Sequence, residues 1–259
     1  MGRRYMMCTR HPVSADILCL RALWKEAFGD SDAFLDSFFR CAFAAERSLC
    51  LEDNGEITAA LYWFDCAWNG MRIAYLYAVA VAERHRGRGF CRRLLTDTHA
   101  HLSSLGYAGV ILVPGSASLF DLYAHLGYRI GSSVDEFLCE AADSGISLRK
   151  IDAAAYAAQR VRYLPEGSVL HEMKNLQFLS VHSELYAGED VLLAAHRENS
   201  VLIADEFLGN RLAAPHILHA LGCPRGVFRT VGSQRPFAMY LSLREDITAM
   251  PDYFGIAFD

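Results

Sequence analysis

The segment AYLYAVAV, residues 74–81, runs through HRGRGF into CRRLLTDTHAHL, which ends at Leu102. No other stretch limits the architecture as much. Its first part is an apolar run rich in valine and tyrosine, the pattern of a buried strand. Its last part sets the pair Leu94 and Leu95 on the core face of a helix. A glycine turn that delivers a strand directly into a helix belongs to layered α/β folds. It also makes an anion site, because the amides of the turn and of the first helical turn point one way with the helix dipole behind them. Glycine lets phosphate oxygens reach the backbone, and arginines on the turn add charge-assisted contacts.

Three readings compete for this arginine-rich stretch: a nucleic-acid patch, a phosphate-binding turn or a solvated loop. The formal net charge of −5 gives the protein no overall attraction to nucleic acid or to anionic membrane. The placement of Gly87 and Gly89 between strand and helix favours the phosphate turn, whereas Arg92 and Arg93 fall on a wet helix face. Other phosphate motifs fail on inspection. No G-K-[ST] is present, and GRGFCR lacks the third glycine and the acidic residue of a dinucleotide fold.

Around the turn the elements follow from spacing and punctuation. Ile17 to Phe28 read as a helix stopped by Gly29, and a second helix starts near Asp30 or Ser31 with Phe34, Leu35, Phe38 and Phe39 inward. Three strands follow, separated by Asp53-Asn54-Gly55 and Trp68-Asn69-Gly70. After the glycine turn come a helix ending near Gly106, a short strand in GVILVPG, a helix in SASLFDLYAHLG, a strand start at YRI and another strand in VDEFLCEA. The polar stretch Asp143 to Ser147 reads as a linker, so residues 1–142 and 147–259 are expected to form two domains. In the second, DAAAYAAQRVRYL and SVLHEMKNLQFLS read as helices. DVLLAAHRENSVLIADEFLG reads as a hairpin, NRLAAPHILHALG as a helix with Pro215 in its first turn, and GVFRTVG and PFAMYLSL as strands. That order is a coarse echo of the first half.

Eight scattered cysteines without a C-x-x-C pair fit a reducing, cytoplasmic setting better than a disulfide or zinc framework. No apolar run is long enough to span a membrane. His99 and His101 point to different sides of a helix, and His216 and His219 lack a third ligand nearby, so no metal site is expected.

The order of these features resembles the GCN5-related N-acetyltransferase (GNAT) family. Arg84-x-x-Gly87-x-Gly89 matches the family's [QR]-x-x-G-x-[GA] as a pattern. Alignment by neighbours instead places Arg86-Gly87-Arg88-Gly89-Phe90-Cys91 in the loop, with Cys91 at the last small position, and keeps Leu94 and Leu95 in the core. Downstream, Tyr123, Gly127 and Tyr128 stand where the family carries Y-x-x-x-G-F, and Ser116 stands where asparagine is common. LWKEAFGDSDAFLDSFF resembles the opening of a bacterial subgroup with a second, GNAT-like domain. The resemblance covers roughly residues 5–140. It implies a mixed central sheet flanked by helices, followed by a degenerate GNAT-like unit over 147–259 that shapes the acceptor site or the assembly.

What the resemblance implies for chemistry is acetyl transfer from acetyl-CoA to a primary amine of a small molecule or peptide, with no metal. The pyrophosphate would lie on Arg86, Gly87, Arg88, Gly89, Phe90 and Cys91, and Val79, Val81 and Ser116 would also bind the cofactor. A strand amide near Val79 would meet the oxyanion, and Tyr123 would protonate the leaving thiolate. The strand carries no carboxylate to serve as base. Asp65, Tyr75, Tyr77, a water chain, a group from the second half or the terminal carboxylate at Asp259 stay open for that role. Trp63, Trp68, Tyr75 and Tyr77 are candidates for an acceptor groove or for core. A non-catalytic acyl-CoA-binding module is the alternative reading.

Overall fold

The computed structural model describes residues 7–258. Strand β1 (Cys8–Arg10) forms one edge. Helix α1 (Ile17–Phe28) buries Leu20, Leu23 and Trp24 and ends at Gly29, whose φ of 76° admits the left-handed stop. Helix α2 (Asp32–Cys41) is capped by Ser31, whose hydroxyl accepts the Phe34 N–H at 3.2 Å. Strands β2 (Ser48–Asp53), β3 (Glu56–Trp68) and β4 (Met71–Val81) form an antiparallel meander. Asn54-Gly55 and Asn69-Gly70, all at positive φ, make its two tight turns, as Asn-Gly pairs do.

Helix α3 (Phe90–Ser104) leads to β5 (Gly109–Leu112), which lies parallel to β4. Helix α4 (Ala117–Ala124) then delivers the chain to β6 (Arg129–Glu140). Sequence reading expects two strands here, at YRI and VDEFLCEA; the structure has one. Gly131 allows the continuity, because a Cβ there would sit 2.8 Å from the Cβ of Tyr240 on the neighbouring strand.

The second half starts with β7 (Arg149–Lys150) and α5 (Ala153–Tyr163), capped by Asp152 accepting the Ala155 N–H at 2.8 Å. It continues through β8 (Leu170–His171) and α6 (Met173–His182). The expected helix SVLHEMKNLQFLS therefore begins only at Met173, because Leu170 and His171 pair with β3 and the Val169 N–H donates to Tyr253 O. Strands β9 (Glu184–Ala187), β10 (Val191–Glu198) and β11 (Val201–Gly209) are antiparallel neighbours. A single 3-10 turn, Arg211–Ala213, precedes α7 (Ala214–Leu221), which has Pro215 in its first turn. Strands β12 (Arg225–Val231) and β13 (Arg235–Ser242) complete the elements.

Among the described residues all thirteen strands join one mixed sheet. β13 enters between β5 and β6, and β6 pairs on its other edge with β12, so the sheet runs unbroken across the linker segment. The echo noted in the sequence is visible in topology: hairpin, helix and parallel strand occur as β3–β4, α3, β5 and again as β10–β11, α7, β12. His216 and His219 hold the segment that follows β6, with Nδ1 atoms 2.7 Å from Ser144 O and 2.9 Å from Ala142 O. Among the described residues no three His, Cys, Asp or Glu side chains come together as a metal-binding group, and no helix is long and apolar enough to cross a membrane.

The sheet has apolar cores on both faces, which is why β3 is buried over most of its length. One core stacks Leu94, Leu95 and Leu102 of α3 on Leu61, Trp63 and Leu76. The other gathers Trp24, Phe38, Tyr62, Phe64 and Tyr75 with the C-terminal segment, whose Tyr253, Phe254, Ile256 and Phe258 are all buried. His99 lies partly buried on α3 with Nε2 2.7 Å from the Tyr128 hydroxyl, and burial pulls its pKa down from 6.5 to about 4. A histidine that protonates more easily in the unfolded chain contributes stability above pH 6.5 that is lost as pH falls toward 4. Denaturant melts across that window should therefore show a steeper loss for the wild type than for His99→Gln.

Candidate functional site

Beyond β4, one 3-10 turn, Glu83–His85, leads into Arg86-Gly87-Arg88-Gly89 and then α3. Gly87 and Gly89 sit at φ of 72° and 82°, and a Cβ at either would meet nothing within 4 Å. Handedness, not crowding, demands glycine here, and the backbone stays open to a ligand. Gly89 is the N-cap of α3; its carbonyl accepts the Arg93 N–H at 3.0 Å. The amides of Phe90, Cys91 and Arg92 precede the first intrahelical donor and lie at the positive end of a 15-residue helix.

The Phe90 ring is buried and anchors the helix, so its backbone alone faces the turn. Cys91 is largely covered, and burial pushes its thiol up, leaving it small and inert. Arg86 and Arg88 are exposed; Arg86 Nε donates to Val81 O at 3.2 Å, and the Arg88 guanidinium lies 5.7 Å from the Phe90 ring centre. Arg84 pairs with Glu56 and Arg93 with Asp97, which removes both from the turn. Leu94 and Leu95 are fully buried, as the register placing Arg86 to Cys91 at the turn requires.

At the same end of the sheet, β4 and β5 pair only over Ile73–Tyr75 and Gly109–Ile111, with no further pairs past Tyr75. There β4 also bulges. Its register with β3 slips between Ala60↔Ala80 and Tyr62↔Tyr77, so Ala78 and Val79 both face Leu61. Ala78 is held at φ 49°, a conformation costing about 1–3 kcal/mol for a residue with a side chain.

The bulge borders a cleft of about 350 Å³. Trp24, Phe28, Asp30 and Phe34 supply one wall, Tyr75 to Val79 the floor, Leu119 and Tyr123 the opposite wall, and Ala257 and Phe258 the end. The structure thus brings Val79 and Tyr123 to one cavity. Tyr123 is 7% exposed, and burial pushes its phenol up, so it is protonated and a proton donor at neutral pH. Val81 closes β4 beside the arginine turn rather than in the cleft. Ser116, the exposed N-cap of α4, lines a neighbouring cavity of about 750 Å³ that shares Val113 and Gly115 with the cleft.

Of the candidate bases, Asp65 is ruled out by placement. It does not line the cleft; Arg72 holds it at 3.0 and 3.1 Å, Arg47 lies 3.7 Å away, and the Tyr107 hydroxyl donates to it. Tyr75 and Tyr77 do line the cleft, but the Tyr77 hydroxyl donates to Phe258 O and the Tyr75 hydroxyl accepts the Phe258 N–H at 3.5 Å. Asp259 lies outside the described residues. Trp63 and Trp68 are core, with indole N–H groups donating to the Tyr107 hydroxyl at 3.2 Å and to Gly167 O at 2.9 Å. Sequence reading missed Asp30 as a cleft residue, the bulge at Ala78 and the C-terminal wall. None of these has a local signal, except that Asp30 directly follows a glycine helix stop.

Residues 9–131 match a family model described as an acetyltransferase (GNAT) domain. No curated protein matches the chain. Among solved structures, a GCN5-related N-acetyltransferase from Kribbella flavida is 18% identical with a TM-score of 0.68, covering 92% of this chain and 72% of its own. One from Anabaena variabilis is 15% identical with a TM-score of 0.69, over 92% and 73%. One from Sphaerobacter thermophilus is 15% identical with a TM-score of 0.55, over 95% and 98%. At these identities the likeness is one of fold.

Proposed function

Because residues 9–131 belong to the GNAT acetyltransferase family, we propose that this acyltransferase moves the acetyl group of acetyl-CoA to a primary amine of a small molecule or peptide. The observation that carries the reading is the coincidence, at one end of the sheet, of parted β4 and β5, a bulged backbone at Ala78–Val79 and the phenol of Tyr123 across a single cleft. The pyrophosphate takes the amides at Gly89, Phe90 and Cys91, with Arg86 and Arg88 at its flanks. The pantetheine then runs along the open edge of β4 toward the bulge.

There the neutral acceptor amine attacks the thioester carbonyl carbon. The proton its nitrogen then sheds passes through water to solvent, which also reprotonates Tyr123 after turnover. The Val79 amide faces the oxygen on which charge develops. As the C–S bond breaks, the electron pair stays on sulfur, and the Tyr123 proton neutralises the thiolate. Burial keeps the phenol protonated at neutral pH, so a proton is in place where the thiolate forms. Residues 147–259 shape the acceptor side, in keeping with Ala257 and Phe258 on the cleft wall.

The test is Tyr123→Phe. Turnover with a good amine should fall by ~10²–10⁴, the usual worth of a general acid, while calorimetric acetyl-CoA affinity holds. Unchanged turnover removes Tyr123 from the mechanism. Binding of acetyl-CoA by the wild type without transfer to any amine would favour an acyl-CoA-binding module instead.

A further inference from the structure

A second chamber of about 320 Å³ adjoins the acyl-transfer cleft and shares Asp30, Phe34, Ala257 and Phe258 with it. Its far side comes from the second half of the chain: Phe178 and His182 of α6, Ser183, His196 of β10 and Asp205 of β11. Asp205 reaches it because β11 bulges. Ala194 faces Glu206 and the next residue, Ala195, faces Ala204, so Asp205 is the extra residue without an opposite partner on β10. A bulge of this kind re-aims one side chain. Here it turns Glu206 into the buried core and Asp205 toward the chamber.

Both carboxylates of the chamber are anchored through one oxygen. Ser183 donates to Asp205 Oδ2 at 2.6 Å, and His196 Nδ1 lies 3.1 Å from the same oxygen. The Trp24 indole donates to Asp30 Oδ2 at 2.8 Å. Among the described residues these side-chain contacts leave Oδ1 of each aspartate to a guest. His182, packed 4.7 Å from the Phe34 ring, is held toward its neutral form by burial, and the hydrogen bond to Asp205 raises the His196 pKa. Carboxylates at two points of a chamber that Phe34, Phe178 and Phe258 also line match a chain of methylenes carrying a nitrogen at each end.

Resting on the acetyl-transfer reading, we propose that the acceptor is a linear diamine or polyamine. Its reacting amine lies in the cleft beside Asp30, and its distal ammonium binds Asp205 in the adjoining chamber. The second half of the chain would then set specificity by supplying the distal carboxylate.

Spermidine is the probe, with propylamine as the amine too short to reach Asp205. Calorimetry on the full chain saturated with CoA should show spermidine binding that weakens by a factor of about 10 to 100 in Asp205→Asn, the worth of one hydrogen bond to a charged group. The ratio of kcat/KM for spermidine to that for propylamine should fall by a similar factor. Asparagine preserves an acceptor for Ser183, and an unchanged melting temperature verifies the fold; Asp30→Asn provides the second variant, with loss of spermidine affinity also expected. Absence of spermidine binding to the wild type, or affinity indifferent to both substitutions, overturns the proposal. Acetylation of propylamine at least as efficient as that of spermidine overturns it while leaving acetyl transfer intact. Spermidine bound through Asp205 but not acetylated, while propylamine is, overturns the proposal and leaves acetyl transfer intact; transfer to neither amine removes the transferase reading on which the proposal rests.

Discussion

Gly89→Glu should abolish measurable acetyl-CoA binding while leaving the protein folded. Gly89 sits at φ 82° as the N-cap of α3, with open space where its Cβ would be. A side chain there costs about 1–2 kcal/mol for the left-handed backbone. The negative charge at a helix N-terminus returns part of that, about 0.3–1 kcal/mol. Net stability therefore changes little for a domain of ordinary stability. Binding is another matter. The glutamate projects into the space assigned to the pyrophosphate and occupies the amides with its own carboxylate. Replacing a doubly anionic ligand's donors with a like charge should weaken binding by roughly 10³-fold or more, since like-charge contact costs several kcal/mol. Gly89→Ala, which carries the backbone cost without charge, should retain most of the affinity. Calorimetry with a parallel thermal melt decides the matter; unchanged affinity in Gly89→Glu means that the turn is not the cradle.

Arg160→Met should destabilise the fold by about 3–5 kcal/mol, the usual consequence of stranding one member of a buried ion pair. Glu206 is 0% exposed and Arg160 2%. They meet through two contacts of 2.7 and 2.8 Å, and the Tyr156 hydroxyl donates to the same carboxylate at 2.7 Å. Arg160 also donates to Val169 O at 3.1 Å and to Phe254 O at 3.2 Å. The pair thus ties α5, β11 and the C-terminal segment that ends at the cleft. Gly255 reinforces this arrangement: at φ 80° it lies against Glu206 Oε1, where a Cβ would collide. In urea titrations, Arg160→Met should lower the midpoint strongly. The double variant Arg160→Met/Glu206→Met should recover much but not all of the loss, because the two carbonyl contacts stay broken. A double variant no better than the single one would show that packing, not the stranded charge, dominates. Because the tied segment walls the cleft, Arg160→Met should also raise KM for the amine at temperatures where the fold is intact.

Much of the acyl-transfer region was legible from local chemistry. Asn54-Gly55, Asn69-Gly70, Gly29 and Ser31 each dictate a turn or cap through their own φ preferences or hydroxyl, and the structure uses all of them. The glycine turn was legible because positive φ at two alternate positions, between an apolar strand and a helix, has few other solutions. Tyr123 was legible only through its resemblance to a family motif; as an aromatic on an apolar helical face it carries no chemical label. Asp65 shows the reverse case. A carboxylate on the strand next to the cleft looks available in sequence, yet Arg47, Arg72 and Tyr107 claim it from three separate segments of the chain.

The amino-acid sequence by itself determined most of the elements, their tight turns and the glycine turn of residues 86–91, since these depend on contacts within a few residues. Tertiary structure alone decided that β13 enters between β5 and β6, that Ala78 is driven to positive φ in an otherwise unremarkable strand, and that Phe258 and Asp205 arrive beside Tyr77 and Asp30. The Ala78 strain comes from the bulge of β4 against Leu61 of β3, and the other features from segments more than a hundred residues apart in the chain, brought together by shared burial. Burial of that kind leaves no mark on the spacing of either segment read alone.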